Sequence, residues 1–307
     1  MRFNARFSDV TRETIVNILI GLSRLSDLSV CAIVLTDLKS LELRAVTDTS
    51  SAFGKVDFSQ FSTFRVTSKA NNVIAAEVQI SALLSAFKSA DNAEEVSLKL
   101  TKNRNQQICF TLVARTLTQI SVTQDILVVN MLPVNEMSRY QEPSPNRLDA
   151  AVAFPDAKAA KTVLERMKHL DKFVQIKADQ KHGTLVFRID NEVVSTRNVF
   201  DGLAIEIEDT EAEILSQRHA YVQAQVSSKE FASIVFAVAN FGKRVSMTTL
   251  AIARGVVLCL HVTYDDGSRL TFYLATSSSD DDDIPYVENT QILRLETLRN
   301  EDDDGDL

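Results

Sequence analysis

The sequence predicts an α+β protein built from two similar units of about 140 residues. Three observations predict this fold class. Apolar residues recur with helical spacing four times, and most of the chain between them has the composition of short β-strands. The order helix, strands, helix, strands also occurs twice. A chain of 307 residues with 45% hydrophobic residues is long enough for two such units.

Four amphipathic helices are predicted, at residues 9–26, 81–90, 156–170 and 228–241. Asp9 and Ser81 are the expected N-caps of the first two, and Pro155-Asp156 opens the third. The helical spacing predicts that the buried face of the third helix comprises Ala159, Ala160, Val163, Met167 and Leu170.

Short strands rich in β-branched and aromatic residues are predicted at 28–35, 41–46, 96–101, 108–115, 173–178, 184–189, 193–200, 245–253 and 256–264. Asp266-Gly267 indicates a hairpin turn after the last of these. The internal repeat relates the segments at 27–30 and 171–174, which are 144 residues apart. It also relates those at 78–81 and 224–227, which are 146 residues apart.

The predicted units occupy residues 1–132 and 148–279, with a proline-containing connector at 133–147 between them. An acidic segment follows at 280–307, where we expect disorder. This segment holds 11 acids and 2 bases, so the rest of the chain has a net charge of +1 although the whole chain has −8. The net charge therefore excludes no class of partner, and the distribution of charge has to be considered.

The inventory of reactive residues favours a binding protein over an enzyme. No apolar run is long enough to cross a membrane, and no apolar signal core follows the N-terminus. The three Cys lie far apart in apolar runs, which indicates buried thiols, and the four His are not clustered as metal ligands. We expect no catalytic residue, metal or cofactor. The alternative is an enzyme that uses Asp265 or Glu192 in a cleft.

Basic residues recur on the predicted helices. On the third helix Lys158, Lys161, Glu165, Lys168 and Lys172 form a stripe opposite the apolar face. An ordinary lysine-rich solvent face is the alternative interpretation of any one helix. If the bases of all four helices face one cavity, they suit contact with phosphate backbones without sequence specificity. The candidates are Arg12, Arg24, Lys88, Lys158, Lys161, Arg166, Lys168, Lys172, Lys229, Lys243 and Arg244.

Several short motifs resemble the sliding-clamp superfamily to which PCNA belongs. They are Met1-Arg2-Phe3 before Ala5-Arg6, Thr123-Gln124-Asp125-Ile126, Gln141-Glu142-Pro143, Phe154-Pro155, the segment 163–168, and Phe200-Asp201-Gly202-Leu203. Within that superfamily, residues 1–279 are most similar to the hydroxyurea-sensitivity subunits of the heterotrimeric nine-one-one DNA-damage checkpoint clamp. The acidic segment has no counterpart in the family core.

The resemblance implies two similar clamp domains, each with two helices packed on antiparallel sheets, and a three-subunit ring whose helices line the hole. It implies a nuclear, non-catalytic, DNA-encircling checkpoint clamp that is loaded at damaged or stalled DNA. The implied partners are two other clamp subunits, a clamp loader, double-stranded DNA without sequence specificity, and checkpoint and repair proteins. A homotrimeric PCNA-like replication clamp is the alternative.

Rings of this type close through edge strands, and two candidates follow by position. The first edge comprises Ile120, Val122, Gln124, Ile126 and Val128; the second comprises Val193, Ser195, Arg197 and Val199. The alternative is that either strand lies inside its own sheet. In and just before the connector, Met131, Val134, Met137 and Tyr140 could flank an apolar pocket for partner peptides, or could simply pin a loop.

The acidic segment leaves four alternatives open. Ser277, Ser278 and Ser279 each have an acid three residues downstream, which suits kinases that recognise acids at that position. The segment could instead compete with DNA for the basic helices. Its apolar residues Ile292, Leu293, Leu295 and Leu298 could dock a partner. It could also act only as a solubilising tail.

Overall fold

The structure, a computed structural model, describes residues 1–37, 40–116, 121–145, 147–204 and 221–277, without the side chains of Phe58 and Lys243. Across these ranges the protein is α+β, as the sequence predicts, and all of its strand pairs are antiparallel. No helix in these ranges combines the length and apolar character that crossing a membrane requires.

All four predicted helices are present, although each differs from its predicted range at one or both ends and two of the predicted caps are wrong. They are α1 (Asp9–Leu22), α2 (Ile80–Ser89), α3 (Ala157–Met167) and α4 (Ser228–Val238). Asp156 caps α3 as predicted, because its carboxylate accepts from the backbone N–H of Ala159 at 3.0 Å. The predicted caps of α1 and α2 are wrong. Ser8 and Gln79 occupy those positions, and neither makes a side-chain capping bond.

The strands of the first half are β1 (Arg2–Phe7), β2 (Val30–Thr36), β3 (Ser40–Val46), β4 (Ser50–Val56), β5 (Phe61–Thr67), β6 (Ile74–Gln79), β7 (Ala93–Lys102), β8 (Ile108–Thr116) and β9 (Ser121–Met131). Those of the second half are β10 (Ala150–Ala153), β11 (Phe173–Asp179), β12 (Thr184–Asp190), β13 (Ser195–Phe200), β14 (Val222–Ser227), β15 (Val245–Ala253), β16 (Val257–Tyr264) and β17 (Arg269–Ala275). A short 3₁₀ helix, Val134–Tyr140, lies in the connector.

The strands form two sheets. One has the order β10-β15-β16-β17-β4-β3-β2-β6-β9-β8-β7-β1-β5, and the other has the order β13-β12-β11-β14. The large sheet is continuous between the two halves because β17 pairs with β4, with Phe272 opposite Ala52. The two helices of each half pack against each other, α1 on α2 and α3 on α4. The predicted turn at Asp266-Gly267 is present between β16 and β17, where Gly267 has a φ of +81°.

The duplication is visible as one hydrogen bond made in both halves. The backbone N–H of Ile80, at the start of α2, donates to the carbonyl of Ser29 at 3.0 Å. The N–H of Ser228, at the start of α4, donates to Lys172 at 2.9 Å. The equivalent acceptors, Ser29 and Lys172, are 143 residues apart in the sequence, and the equivalent donors, Ile80 and Ser228, are 148 residues apart. The offsets of 144 and 146 predicted from sequence therefore differ from the structural ones by one and two residues, because matching letters does not fix which backbone positions are equivalent.

Helix α1 is buried along most of its length because it lies between its own half and the second half. A Cβ at Gly54 would lie 2.2 Å from Cγ2 of Ile18, so β4 approaches this helix closely. A Cβ at Gly21 would lie 2.7 Å from Cδ2 of Leu270 on β17. Val10 is an exception to this burial and is exposed at the start of the helix.

The residues that form the buried face of α3 are only partly those predicted from the sequence. Ala160, Leu164 and Met167 are buried against the sheet, whereas Ala159 is exposed and Leu170 lies beyond the helix end with 42% exposure. The predicted face was wrong at Leu170 because it extended the helical spacing past the helix end at Met167. It was wrong at Ala159 because the buried positions 160, 164 and 167 leave that residue on the exposed side.

Candidate nucleic-acid interface

Helix α3 presents a row of cations to solvent. Lys158 and Arg166 are exposed, and Lys161 and Lys168 are half-buried. None of these four forms an ion pair within the described ranges. Glu165 lies in the same row and is also unpaired there. The predicted stripe is therefore present from Lys158 to Lys168 but does not continue to Lys172, and its bases form no ion pair with the described acids.

Helix α4 faces the same side as this row. Its exposed or half-buried positions on this side are Lys229, Ser233 and Phe236, followed by Asn240 just beyond the helix, at spacings of 4, 3 and 4 residues. Glu230, also half-buried, accepts a hydrogen bond from the Thr49 hydroxyl at 2.7 Å. The ammonium of Lys161 lies 4.0 Å from the centre of the Phe236 ring. Sequence analysis missed Phe236, although an aromatic residue outside the apolar face of a helix was an available signal.

Arg24 joins the same surface from the first half of the chain. Its guanidinium carbon lies 4.8 Å from the centre of the Phe236 ring, and its backbone carbonyl accepts from the hydroxyl of Ser233 at 3.1 Å. The C-terminal end of α1, helix α3 and helix α4 thus meet at one aromatic ring. Cations over an aromatic face are stabilised by its quadrupole.

Arg12, predicted to face DNA, is buried with 6% exposure, and that prediction is wrong. Its Nε pairs with the carboxylate of Asp9, and its Nη2 donates to Asp91 at 2.6 Å. Its Nη1 donates to the carbonyl of Phe87 at 3.2 Å. The guanidinium ties α1 to α2, so these internal acceptors leave it with a structural role.

Three other predicted bases differ from the row on α3. Arg244 donates from Nε to Glu13 at 2.7 Å, so its charge is neutralised across the two halves. Lys172 lies beyond α3, and its ammonium is 5.1 Å from the centre of the Phe173 ring, on the sheet face away from the helices. The side chain of Lys243 lies outside the described ones. Lys88, at the end of α2, is exposed.

The helical surface is therefore more basic in its second half than in its first. On α1 only Asp9, Val10, Glu13 and Ile20 are accessible to solvent. On α2 the accessible residues besides Lys88 are mainly Ser and Ala. The described cations without an ion pair there are Arg24, Lys88, Lys158, Lys161, Arg166, Lys168 and Lys229. This set is the candidate nucleic-acid interface.

The two predicted edge strands differ in how much of their length is unpaired. Strand β13 pairs only with β12 among the described strands. Strand β9 pairs with β8 over 121–127 and with β6 over 128–131, so its second edge is open only along the first part. Along these strands Val122, Gln124 and Val128 are half-buried, whereas Ser195, Arg197 and Val199 are exposed.

Two positions assigned to these edges need correction, and a third lies outside the described residues. Ile126 is buried, so its side chain packs in the core of its own half and is not available to a partner. Val193 precedes β13 and is 90% exposed in the turn. Ile120 lies outside the described residues. Leu127 and Val129, which the prediction omitted, are exposed on the outer face of β9.

The four residues predicted to flank a connector pocket differ in their exposure, and none of them lines the groove beside the later connector residues. Met131 packs against the main core, and Val134 is exposed. Tyr140 is buried; its hydroxyl donates to Glu77 at 2.8 Å, and its carbonyl accepts from Arg44 at 3.0 Å. These bonds pin the connector to the sheet, as the alternative interpretation proposed. A groove of about 330 Å³ lies instead between the later connector residues and Cys259, His261, Arg269 and Tyr273.

The reactive side chains singled out in the sequence are either buried or exposed in turns. No group of three or more His, Cys, Asp or Glu there could hold a metal ion. All three Cys are free and buried, as predicted, and burial raises the pKa of Cys31 and of Cys259 to about 12. Asp265 and Glu192, the carboxylates of the enzyme alternative, are exposed in turns and do not line the groove beside the connector.

Ser277 is the last described residue. Its backbone N–H and its hydroxyl both donate to the carbonyl of Gln225 on β14, at 2.8 and 3.3 Å. Ser278, Ser279 and the acidic segment 280–307 lie outside the described residues. The proposals for this segment therefore remain predictions from sequence.

The family model for Hus1-like proteins matches residues 1–278. The chain belongs to the Hus1-like family. Human checkpoint protein HUS1 is 31% identical over 137 residues, which is 43% of this chain and 48% of the human protein, so the match spans about half of that relative. Checkpoint protein hus1 of Schizosaccharomyces pombe is 24% identical over 230 residues, which is 70% of this chain and 79% of the yeast protein.

Solved structures similar to this Hus1-like chain are sliding clamps. The Entamoeba histolytica proliferating cellular nuclear antigen has a TM-score of 0.68 and 14% identity, over 90% of this chain and 99% of the clamp. The PCNA2–PCNA3 complex of Sulfolobus tokodaii gives a TM-score of 0.62 and 14% identity, over 91% and 100%. The predicted clamp fold of two similar α+β domains is therefore confirmed.

Proposed function

We propose that this chain is a subunit of a heterotrimeric, DNA-encircling checkpoint clamp that is loaded at damaged or stalled DNA. The observation that carries the proposal is the row of unpaired cations on α3 and its neighbours, in a clamp fold of the Hus1-like family. Such cations suit phosphate contacts without sequence specificity. The family assignment favours this function over the homotrimeric replication clamp.

Ring closure through β9 and β13 is supported by the junction within the chain. The sheet order β4-β3-β2-β6 of the first half corresponds to β13-β12-β11-β14 of the second, so β4 and β13 are equivalent strands. By the same comparison β17 is equivalent to β9. Because β17 pairs with β4 inside the chain, we propose that the open edges of β9 and β13 pair in the same way with two sister subunits.

The remaining roles are those of a scaffold. We propose a clamp loader, checkpoint proteins and repair proteins as further partners, action in the nucleus, and no catalytic activity. The proposed domains are residues 1–132 and 148–279, joined by the connector 133–147. The acidic segment 280–307 is proposed to compete with DNA for the cations, so its deletion should tighten duplex binding and steepen its salt dependence. Unchanged binding would leave it as a solubilising tail or a docking segment.

Encirclement is tested by the topology of binding. Rings assembled from this chain and its two partner subunits are loaded on nicked circular duplex, separated from free protein, and treated with a restriction enzyme. We expect retention on circles and loss from linear ends, with a light-scattering mass of a monomer for the chain alone. A self-assembled trimer would favour the replication clamp, and equal retention on linear DNA would contradict encirclement.

A further inference from the structure

We propose that Arg24, Lys161 and Phe236 together form a seat for one phosphodiester group of the DNA backbone. This inference rests on the proposed function and assigns one of its contacts to a site built from both halves of the chain. Phe236 is a positioning residue in this seat, because its ring holds the two cations and does not itself carry charge.

The geometry brings two positive charges to one aromatic ring. Lys161 comes from α3, Arg24 from the segment after α1, and Phe236 from the solvent-facing stripe of α4. Their distances to the ring centre, 4.0 and 4.8 Å, limit the separation of the two charges to 8.8 Å. This upper limit is close to the Debye length of about 8 Å at physiological ionic strength, so salt does not fully screen the repulsion between the two cations.

No acid relieves this repulsion in the described part of the chain. Neither Arg24 nor Lys161 forms an ion pair there, and Glu165, one turn after Lys161, is not paired with either. The face of the Phe236 ring offsets part of the repulsion, since its quadrupole attracts cations. A bound anion would offset the rest, which makes the cluster a site that favours a negative ligand.

The two cations match the two unesterified oxygens of a phosphodiester. The guanidinium of Arg24 offers a planar fork of donors, and the ammonium of Lys161 offers a compact point charge. The backbone at Arg24 is held in place by two hydrogen bonds. Its N–H donates to Gly21 at 3.0 Å and its carbonyl accepts from Ser233 on α4 at 3.1 Å. The seat is thus preorganised, which lowers the entropic cost of binding.

The other cations of the row have no such support among the described contacts. Lys158, Arg166 and Lys168 have no aromatic ring or hydrogen-bonded anchor beneath their charged groups. They differ from the seat in mobility rather than in charge. A substitution at Phe236 that preserves every charge should therefore weaken DNA binding, which a simple model of summed charge does not predict.

The test uses the assembled three-subunit ring and a duplex whose binding is titrated at several salt concentrations. Phe236→Leu removes the ring but keeps an apolar side chain, and Phe236→Tyr keeps the ring face. We expect Phe236→Leu to weaken binding about three- to tenfold and to lower the log–log salt slope by up to about 0.9, which corresponds to the one phosphate that is no longer neutralised. Phe236→Tyr should bind like the wild type.

A double-mutant comparison separates positioning from simple packing. Replacing both Arg24 and Lys161 with Ala should weaken the wild-type ring but have little further effect in the Phe236→Leu ring. If Phe236→Leu prevents assembly, the single cation variants supply the test, since a shared seat predicts that each loses most of what the double variant loses. Fully additive losses in either comparison would overturn the seat.

Two further outcomes separate this inference from the proposed function. If Phe236→Leu binds like the wild type while Lys158→Ala still lowers the salt slope, the seat is wrong and the proposed DNA contact stands. If the wild-type ring already has a salt slope near zero and no variant changes it, both the seat and the proposed DNA contact are wrong. Inorganic phosphate titrated at constant ionic strength identifies the ligand. Saturable binding that Phe236→Leu abolishes, without any effect of that variant on duplex binding, would overturn the assignment to DNA.

Discussion

Arg244 in the second half of the chain donates from Nε to the carboxylate of Glu13 in the first half, at 2.7 Å. The bond neutralises a base that the sequence assigned to DNA and an acid that would otherwise face the same surface. The hydrogen bond from Asn17 Nδ2 to the carbonyl of Phe241, at 3.0 Å, lies at the same junction. Charges near the contact between the two halves therefore stabilise the chain itself, and the cations left for a ligand lie mainly on α3 and around Phe236.

The exposed row on α3 gives a direct prediction for DNA binding. Replacing Lys158, Arg166 and Lys168 with Ala should lower the log–log salt slope of duplex binding by up to about 0.9 for each phosphate that the ring no longer neutralises, equally on any sequence. Filter binding of the assembled ring over a range of salt measures it. The matched control replaces Lys55, Lys99 and Lys177, which point away from the helices, and should leave the slope unchanged. Equal effects of both triple variants would contradict the interface.

Arg12 should matter for stability and not for DNA. Arg12→Met keeps the apolar stem but removes bonds to Asp9, Asp91 and the carbonyl of Phe87, so we expect a loss of about 2 to 3 kcal/mol in the free energy of unfolding. Urea denaturation measures it. Arg166→Met, at an exposed unpaired base, should change stability by about 0.5 kcal/mol or less. An unchanged stability with a reduced salt slope for Arg12→Met would show that Arg12 does reach DNA.

The two open edges should bind different sister subunits. Val199→Asp on β13 and Leu127→Asp on β9 place a charge at exposed apolar positions beside those edges. Each should weaken assembly with one partner about tenfold or more, from a loss of about 1.4 kcal/mol, and spare the other. Pairwise pull-down with each sister subunit measures this. Val256→Asp, in an exposed turn away from both edges, is the control. Two variants that lose the same partner would contradict closure through opposite edges.

Stability should decrease at alkaline pH. Burial raises the pKa of Tyr140 above its ordinary range, and the hydrogen bond that its hydroxyl donates to the Glu77 carboxylate raises it further. Burial and the Glu142 carboxylate do the same for the pKa of Tyr273. A raised folded-state pKa means that the stabilisation is complete below the unfolded value of 10.0 and decreases as pH rises toward the folded value. Each group then contributes a slope of about −1.4 kcal/mol per pH unit.

Urea denaturation between about pH 8 and about pH 11, the range in which tyrosine phenols begin to lose their protons, measures this slope. The variant Tyr140→Phe with Tyr273→Phe should unfold with a shallower dependence on pH above about 10. Tyr221→Phe is the matched control, because Tyr221 is exposed and should leave the profile unchanged. A double variant with the wild-type profile would show that neither phenol loses its proton less readily in the folded chain.

Local sequence determined the elements of this protein. Helical spacing identified α1 to α4, a carboxylate before Ala157 set the cap of α3, and Asp266-Gly267 formed the hairpin, because each depends on residues within a few positions. The stripe on α3 was predictable for the same reason. Short motifs then indicated the clamp fold, which the Hus1-like family match and the PCNA structures support.

Tertiary structure alone decided which of those residues remain available for binding. Arg12 is neutralised by Asp91 and Arg244 by Glu13, over separations of 79 and 231 residues. The position of Lys161 over Phe236 depends on how α3 packs against α4. Helical spacing places a base on a face, but the partner that approaches that face comes from a distant part of the chain. The choice between an internal ion pair and a free cation is therefore made only when the helices pack against one another and the two halves come together.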